Sequence, residues 1–508
     1  MKPSNELFKL IKSLTKSEKR FFKLSSALQS GEKNYLRIFD YVEKQEDYEE
    51  EELKKEFKSE KFIKHLPSEK NHLYRLILKS LRLFYSEQSV SSILKQELKN
   101  VEILYDKALY KECEKFVTRA KSIARLNEEF YYWYELISWE KRLLEAAFEE
   151  GEFGVDLDEL VAEEEEVITK LRNLAEYQVI YSKINLIFRS GGFTRNEQER
   201  KIVEDIADYH LIKGKNTALS TRASSMCYYI KGLCAATNLN YEDSFQFFNR
   251  TKDILDENPH IKVDLGQRYV NTLSHLLRCF IDNKQFEDAR KMIDEIRELE
   301  GQKGFTSTDI SLRIFSISLN AEMALNHALG KFEETLIIAM NGHNLAMESK
   351  ISKEQNILFQ YNKAYAFFGN GDFKKALNTL NSVINDNEQR LRQDIYSFAR
   401  IFNLIIHYEL GNYDFLEYVI KSTNRYFNKK ERDYEIESTV IRYIRKLAKT
   451  IVVSQRTDIM EKMKIEVADL MKVQQERVII EYFNLPAWID SKITKIEFSD
   501  AVKQLTVV

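Results

Sequence analysis

Four cysteines, eight histidines and two runs of glutamate are the residues of this 508-residue chain whose types suit chemistry. Their spacing argues against most of it. Cys113, Cys227, Cys234 and Cys279 lie inside apolar helical segments with no C-x-x-C pair, so neither a disulfide framework nor a zinc ribbon is expected. The histidines are dispersed: none stands in H-E-x-x-H or near a cysteine, and His65 and His72, flanking Pro67, read as surface residues. Gly191 and Gly192 lack the preceding strand and the lysine of a phosphate-cradling loop, and neither G-x-x-x-x-G-K-[ST] nor G-x-S-x-G occurs. The glutamates at 49–52 and 163–166 occupy consecutive helical positions, point in different directions and lack the alternating oxygens of a calcium loop. The aromatic run at 130–134 faces all round a helix, which suits packing between helices better than stacking on bases. No catalytic residue, cofactor or metal is expected, and the chain reads as non-enzymatic.

The elements that carry these residues are helices. With 4 prolines and 15 glycines the chain has too few turn formers for a β-rich fold, while 44% hydrophobic residues suffice for packed cores. A charged content of 31% with a formal net charge of −3 describes a mixed, nearly neutral surface, so global charge selects no partner. No run of about 18 uninterrupted apolar residues occurs, so no membrane span is expected. Lys9 and Lys12 interrupt Leu7, Phe8, Leu10 and Ile11, which does not read as a signal peptide. With the cysteines unpaired, the expected location is cytoplasmic.

One stretch shows how the helices pair. Residues 360–383 place Tyr361, Ala364, Phe367 and Phe368 before a turn, and Phe373, Ala376, Leu377, Leu380 and Val383 after it, all at helical spacing. Ala364 and Ala376 let two backbones approach, Gly371 supplies the turn and Asp372 caps the second helix. Aromatic residues after comparable turns recur at Tyr110, Phe153, Phe193, Tyr241, Phe286, Phe332, Phe373 and Tyr413, 40 to 48 residues apart. Such recurrence is the sign of a stacked array of helix hairpins. Residues 154–158 delay the second helix after Phe153, and Gly191-Gly192 loosens the turn before Phe193, so these two copies are the weakest.

Through Tyr361, Asn362, Ala364, Phe367, Gly371, Asp372, Phe373 and Ala376 the stretch resembles a tetratricopeptide repeat, with Lys363 where that family prefers leucine. The resemblance, extending over about 101–427, implies an all-α fold. Its form would be a right-handed superhelix of stacked antiparallel helix hairpins, an α-solenoid with helical N- and C-terminal caps. Residues 1–90 would form a small helical domain or cap with a basic start, 91–428 the repeats and 429–508 the C-terminal cap. In that family the first helix of each hairpin lines a groove that holds peptides or helices of partners. Carried onto this chain, the partner-binding positions are Leu358, Tyr361, Asn362, Tyr365 and Phe368, with His275 and Arg278 on comparable faces of an earlier repeat. Asn362 would offer a donor and an acceptor to peptide backbone, the tyrosines rigid amphipathic area, and His275 with Arg278 a mixed polar and aromatic place for an acidic or C-terminal carboxylate. The function so implied is a scaffold that holds a peptide or protein partner.

A second reading is a peptide-responsive nucleic-acid-binding regulator, with the N-terminal helices as reading head. Residues 1–22 carry an excess of four positive charges, from Lys2, Lys9, Lys12, Lys16, Lys19 and Arg20 against Glu6 and Glu18. A helix-turn-helix register with Ala27 and Gly31 at its turn and 35–42 as recognition helix would bury Arg37 and Asp40, which are not apolar. Thr15 and Glu18 form a capping-box pattern opening a helix there. Beyond 428 the pattern predicts helices over 436–453 and, unbroken, over 458–483, the latter a core helix or a dimer seam. A last helix begun by Pro486, holding Trp488, Ile489 and Ile493, would cover the end of the array.

Overall fold

The computed structural model describes residues 5–27, 34–148, 157–194, 196–342, 350–386, 392–430 and 434–507. Gly31, Phe153 and Gly154 fall outside these residues, so the turns expected there do too. Among the described residues every regular element is a helix. None of these helices is long and apolar enough to cross a membrane. Cα packing divides the chain into two units, Met1–Glu164 and Glu165–Val508.

In the first unit, helices Glu6–Ser13, Lys16–Ala27, Asn34–Lys44 and Leu66–Phe84 enclose Leu7, Ile11, Phe22, Ile38, Phe39, Leu73 and Ile77. The capping box is formed: the Thr15 N–H reaches the Glu18 carboxylate at 2.6 Å, and the Glu18 N–H reaches the Thr15 hydroxyl at 3.3 Å. Helices Val90–Asp106, Tyr110–Leu126 and Phe130–Phe148 follow.

In the second unit, hairpins succeed one another. Thr221–Thr237 pairs with Tyr241–Asp256, Gly266–Asp282 with Phe286–Glu298, and Thr308–Ala328 with Phe332–Ala339. Lys353–Gly369 then pairs with Phe373–Ile384, Gln393–Glu409 with Tyr413–Lys430, and Glu435–Lys449 with Val453–Leu470. From Gly266–Asp282 onward, each first helix also packs on the first helix of the next hairpin. Gly369 lets the second helix of the preceding hairpin approach as well: a Cβ there would stand 2.1 Å from the Phe332 ring.

One turn geometry joins the helices in both units. Before Tyr110, Phe130, Tyr241, Phe286, Phe332, Phe373 and Tyr413 the preceding N–H bonds to the carbonyl five residues back. The bonds run from Leu109 to Leu104, Glu129 to Ala124, Asn240 to Ala235, Gln285 to Phe280, Lys331 to Asn326, Asp372 to Phe367 and Asn412 to His407, at 2.8 to 3.0 Å. Two residues before each aromatic, φ is left-handed, +52° to +78°, at Ala108, Glu128, Leu239, Lys284, Gly330, Gly371 and Gly411. This is the Schellman closure of a helix, and the aromatic opens the next one. Glycine lowers the cost of the turn without being required for it, which is why the copy at Phe130 carries no glycine signal. The Phe193 turn differs: Gly192 immediately precedes the aromatic, and the next helix, Glu197–Ala207, starts only after the Asn196 cap.

The expected helix over 458–483 is broken. Val453–Leu470 ends, and Gln474–Glu481 is a 3-10 helix. Tertiary contacts account for the break: the Glu476 carboxylate accepts from the backbone N–H groups of Glu435 and Ile436, at 3.0 and 2.8 Å, capping the helix that starts at Glu435. A straight helix through 476 would carry that carboxylate elsewhere. Helices Leu485–Thr494 and Phe498–Val507 complete the chain, the first with a proline in its opening turn as expected.

Candidate functional site

The chain's own tail, residues 474–507, packs on first helices and turn ends of several hairpins in the second unit. Lys284 donates from Nζ to the carbonyl of Leu505 at 2.9 Å, and the Thr506 hydroxyl donates to that of Ala328 at 2.9 Å. Gly330 lies so near Ser499 that a Cβ would sit 2.7 Å from its carbonyl oxygen. Trp488 Nε1 and Lys492 Nζ both donate to Glu409, at 2.6 and 2.7 Å. Tyr482, Phe483, Leu485, Trp488, Ile489, Phe498 and Val502 are buried in the same core as Tyr361, Phe368 and Phe402.

Of the five positions expected to grip a partner on Lys353–Gly369, the tail covers Tyr361, Tyr365 and Phe368. The Tyr361 hydroxyl donates to the carbonyl of Tyr482 at 3.1 Å, and the Tyr365 hydroxyl accepts the N–H of Asn484 at 3.1 Å. Between the 3-10 helix and Leu485 the backbone is non-helical, so these tyrosines supply partners for groups outside the helices on either side. Phe368 packs within 5.5 Å, centroid to centroid, of Phe483, Phe498 and Phe402. Leu358 is half-buried against this core. Asn362 faces its neighbour instead: its amide donates to Asn320 at 3.2 Å, and Asn320 in turn donates to Gln355 and to the carbonyl of Ser316.

Arg278 and His275 also separate. Arg278 holds a carboxylate, that of Glu481 in the tail, at 2.7 Å, and the Tyr241 hydroxyl bonds the other oxygen of the same group. Asp282 stands 3.6 Å from Arg278, so two carboxylates share one guanidinium. Burial, and then the Glu481 charge, push the Asp282 carboxyl well above its ordinary range. His275 takes no acid: it meets the Tyr229 hydroxyl at 3.1 Å and stacks on Phe248, and burial, with Arg278 adding to it, pushes its imidazole down to about 3. Beside them a cavity of about 20 Å3, lined by Phe193, Ser244, Phe248 and Cys279, is far too small for a drug-sized ligand.

Tyr482 is held by residues that sequence reasoning missed. Its hydroxyl donates to Asp394 at 2.6 Å and its ring stacks on Phe398 with centroids 4.3 Å apart. Burial alone would raise the Asp394 carboxyl, but the Arg392 charge and the hydrogen bonds from Arg392 and Tyr482 outweigh it and hold the group below its usual range. The signal was present only as Arg392 and Asp394 two residues apart, a pattern without meaning until the tail is in place.

The remaining candidates resolve into packing and ion pairs. Phe130 and Trp133 are buried, with Trp133 Nε1 on Glu163 at 2.7 Å, while Tyr131 is 63% exposed. Glu163 and Glu164 pair with Lys121 and Lys141, and Glu50 with Lys70. At the basic start, Lys12 donates to the Glu43 carbonyl while Lys19 and Lys23 pair with its carboxylate; Lys9, Lys16 and Arg20 are exposed. Arg37 and Asp40 lie at or near the surface, with Tyr35, Ile38, Phe39 and Val42 buried in their helix instead. All four cysteines are buried thiols. Compared with known proteins, the chain matches no family model and no curated sequence.

Proposed function

We propose that this chain is a non-enzymatic interaction protein, a tetratricopeptide-like helical array whose first-helix face in the second unit holds extended polypeptide of a peptide or protein partner. One observation carries the reading: that face already holds a short non-helical segment, residues 482–484, with Tyr361 and Tyr365 bonded to its backbone, and Arg278 holds the carboxylate of Glu481 at the end of the 3-10 helix before it. Backbone reading by fixed side chains, with pockets for particular side chains, is how such faces recognise peptides. The nucleic-acid reading has less support, because Lys12, Lys19 and Lys23 all engage Glu43.

The test is a photo-crosslinking side chain introduced in place of Leu358 in the full-length protein, in its own cells, with a second version carrying it at Lys291, whose side chain is 79% exposed on a second helix. Crosslinks from 358 to another protein, absent from 291, are expected. Crosslinks confined to the chain itself, or equal at the two positions, contradict the proposal.

A further inference from the structure

The tail does not cover the face as an apolar lid alone. Residues 481–484 are read one by one: Glu481 by Arg278 and Tyr241, Tyr482 by Asp394 and Phe398, Phe483 by Tyr365 and Phe368, and the Asn484 backbone by Tyr365. A cap needs none of the charged part. Drawing the Glu481 side chain to 11% exposure costs solvation, and its charge helps drive the neighbouring Asp282 toward its protonated form, a cost that a hydrophobic residue would avoid. One oxygen of Asp282 is buried without a hydrogen bond. The site thus recognises an acid while crowding a second carboxyl group against the same guanidinium. The tail joins the array through residues 471–473, of which Lys472 and Val473 are exposed, so it is tethered at one short connection.

We propose that residues 481–484 act as an internal ligand. The first-helix face takes in trans a polypeptide of the same chemistry, a carboxylate at the end of a 3-10 turn followed by two aromatic side chains, in competition with the tail. This rests on the face being a polypeptide-binding surface, as above, and names its occupant. The incoming carboxylate replaces Glu481 on Arg278, its first aromatic takes the stack on Phe398 with its hydroxyl on Asp394, and its second enters the Phe368 and Phe402 cluster.

The probe is a fluorescein-labelled peptide of residues 476–490, titrated into the full-length chain and followed by polarisation. The wild-type chain, its face occupied, should bind weakly. Glu481→Lys and the milder Glu481→Gln, which loosen the tail at Arg278, should bind at least about tenfold more tightly, the scale of a lost interfacial charge pair. Adding Arg278→Glu to Glu481→Gln should abolish that gain, and a peptide carrying lysine at 481 should restore it. Circular dichroism and a cooperative melt identify which variants are folded. Folded Glu481→Lys and Glu481→Gln chains that bind no better than wild type overturn the proposal, as does binding indifferent to the charge at peptide position 481. If the peptide fails while position 358 still crosslinks another protein, the face binds polypeptide of some other chemistry and only this inference falls.

Discussion

The turn ends of the hairpins and the first-helix face of the same hairpins are held by different kinds of contact. At the turns everything is local: seven hydrogen bonds span five residues each, and an aromatic two positions after a left-handed residue starts the next helix. Along the face the decisive bonds join residues 79 to 240 positions apart, from Glu409 with Trp488 to Tyr241 with Glu481. Local geometry makes each hairpin. The distant tail decides what surface the hairpins present.

The largest effect should come from the tail side. Trp488 is wholly buried with its indole N–H on Glu409, so Trp488→Ala is expected to cost about 3–5 kcal/mol in urea unfolding. A loss under about 1 kcal/mol would mean the tail contributes little to the core it lies in.

Two glycines with the same backbone conformation sharpen the comparison. Gly371 at φ +78° faces open space, so Gly371→Ala meets only the left-handed penalty of about 1 kcal/mol. Gly330 at φ +69° faces the Ser499 carbonyl, so Gly330→Ala should cost about 1–3 kcal/mol more, the scale of overpacking. Equal losses at the two sites would show that the tail does not press on the turn.

A third test uses acid. His327 is buried between Phe332 and Tyr365, and burial pushes its imidazole down to about 3. Its folded value lies below the unfolded one near 6.5, so between the two the unfolded chain binds more protons and stability falls as pH falls. At pH 5 this costs about 2 kcal/mol relative to neutral pH. Buried His275 carries a similar share, so His327→Phe should remove about half of the difference that the two histidines make between unfolding at pH 7 and pH 5; an unchanged pH dependence would show that His327 contributes none of it.

These contrasts also separate what sequence can and cannot convey here. Gly371, Asp372 and Phe373 announce their hairpin because glycine, cap and aromatic all lie within three positions. Glu128 takes the same backbone conformation with a side chain that gives no hint of it, so that copy is silent. Residue type and helical face point to Leu358, Tyr361, Asn362, Tyr365 and Phe368 for a partner and to His275 with Arg278 for an acid, of which Asn362 and His275 turn to neighbours within the array. Nothing local to them says that the polypeptide is 482–484 or that the acid is Glu481. Nor does helical periodicity register the break after Leu470, because Glu476 leaves the helix to cap another whose first residue is 41 positions away.

The most direct measurement is native-state hydrogen exchange on the full-length chain, comparing the amides of 487–489 in the tail with those of 364–368 in the first helix beneath it. An internal ligand opens on its own: the tail amides should exchange through an opening smaller by at least about 1–2 kcal/mol than the helix amides, and smaller still in Glu481→Lys. Identical opening free energies for the two segments, both equal to global unfolding, would contradict the claim and make the tail a fixed part of the core.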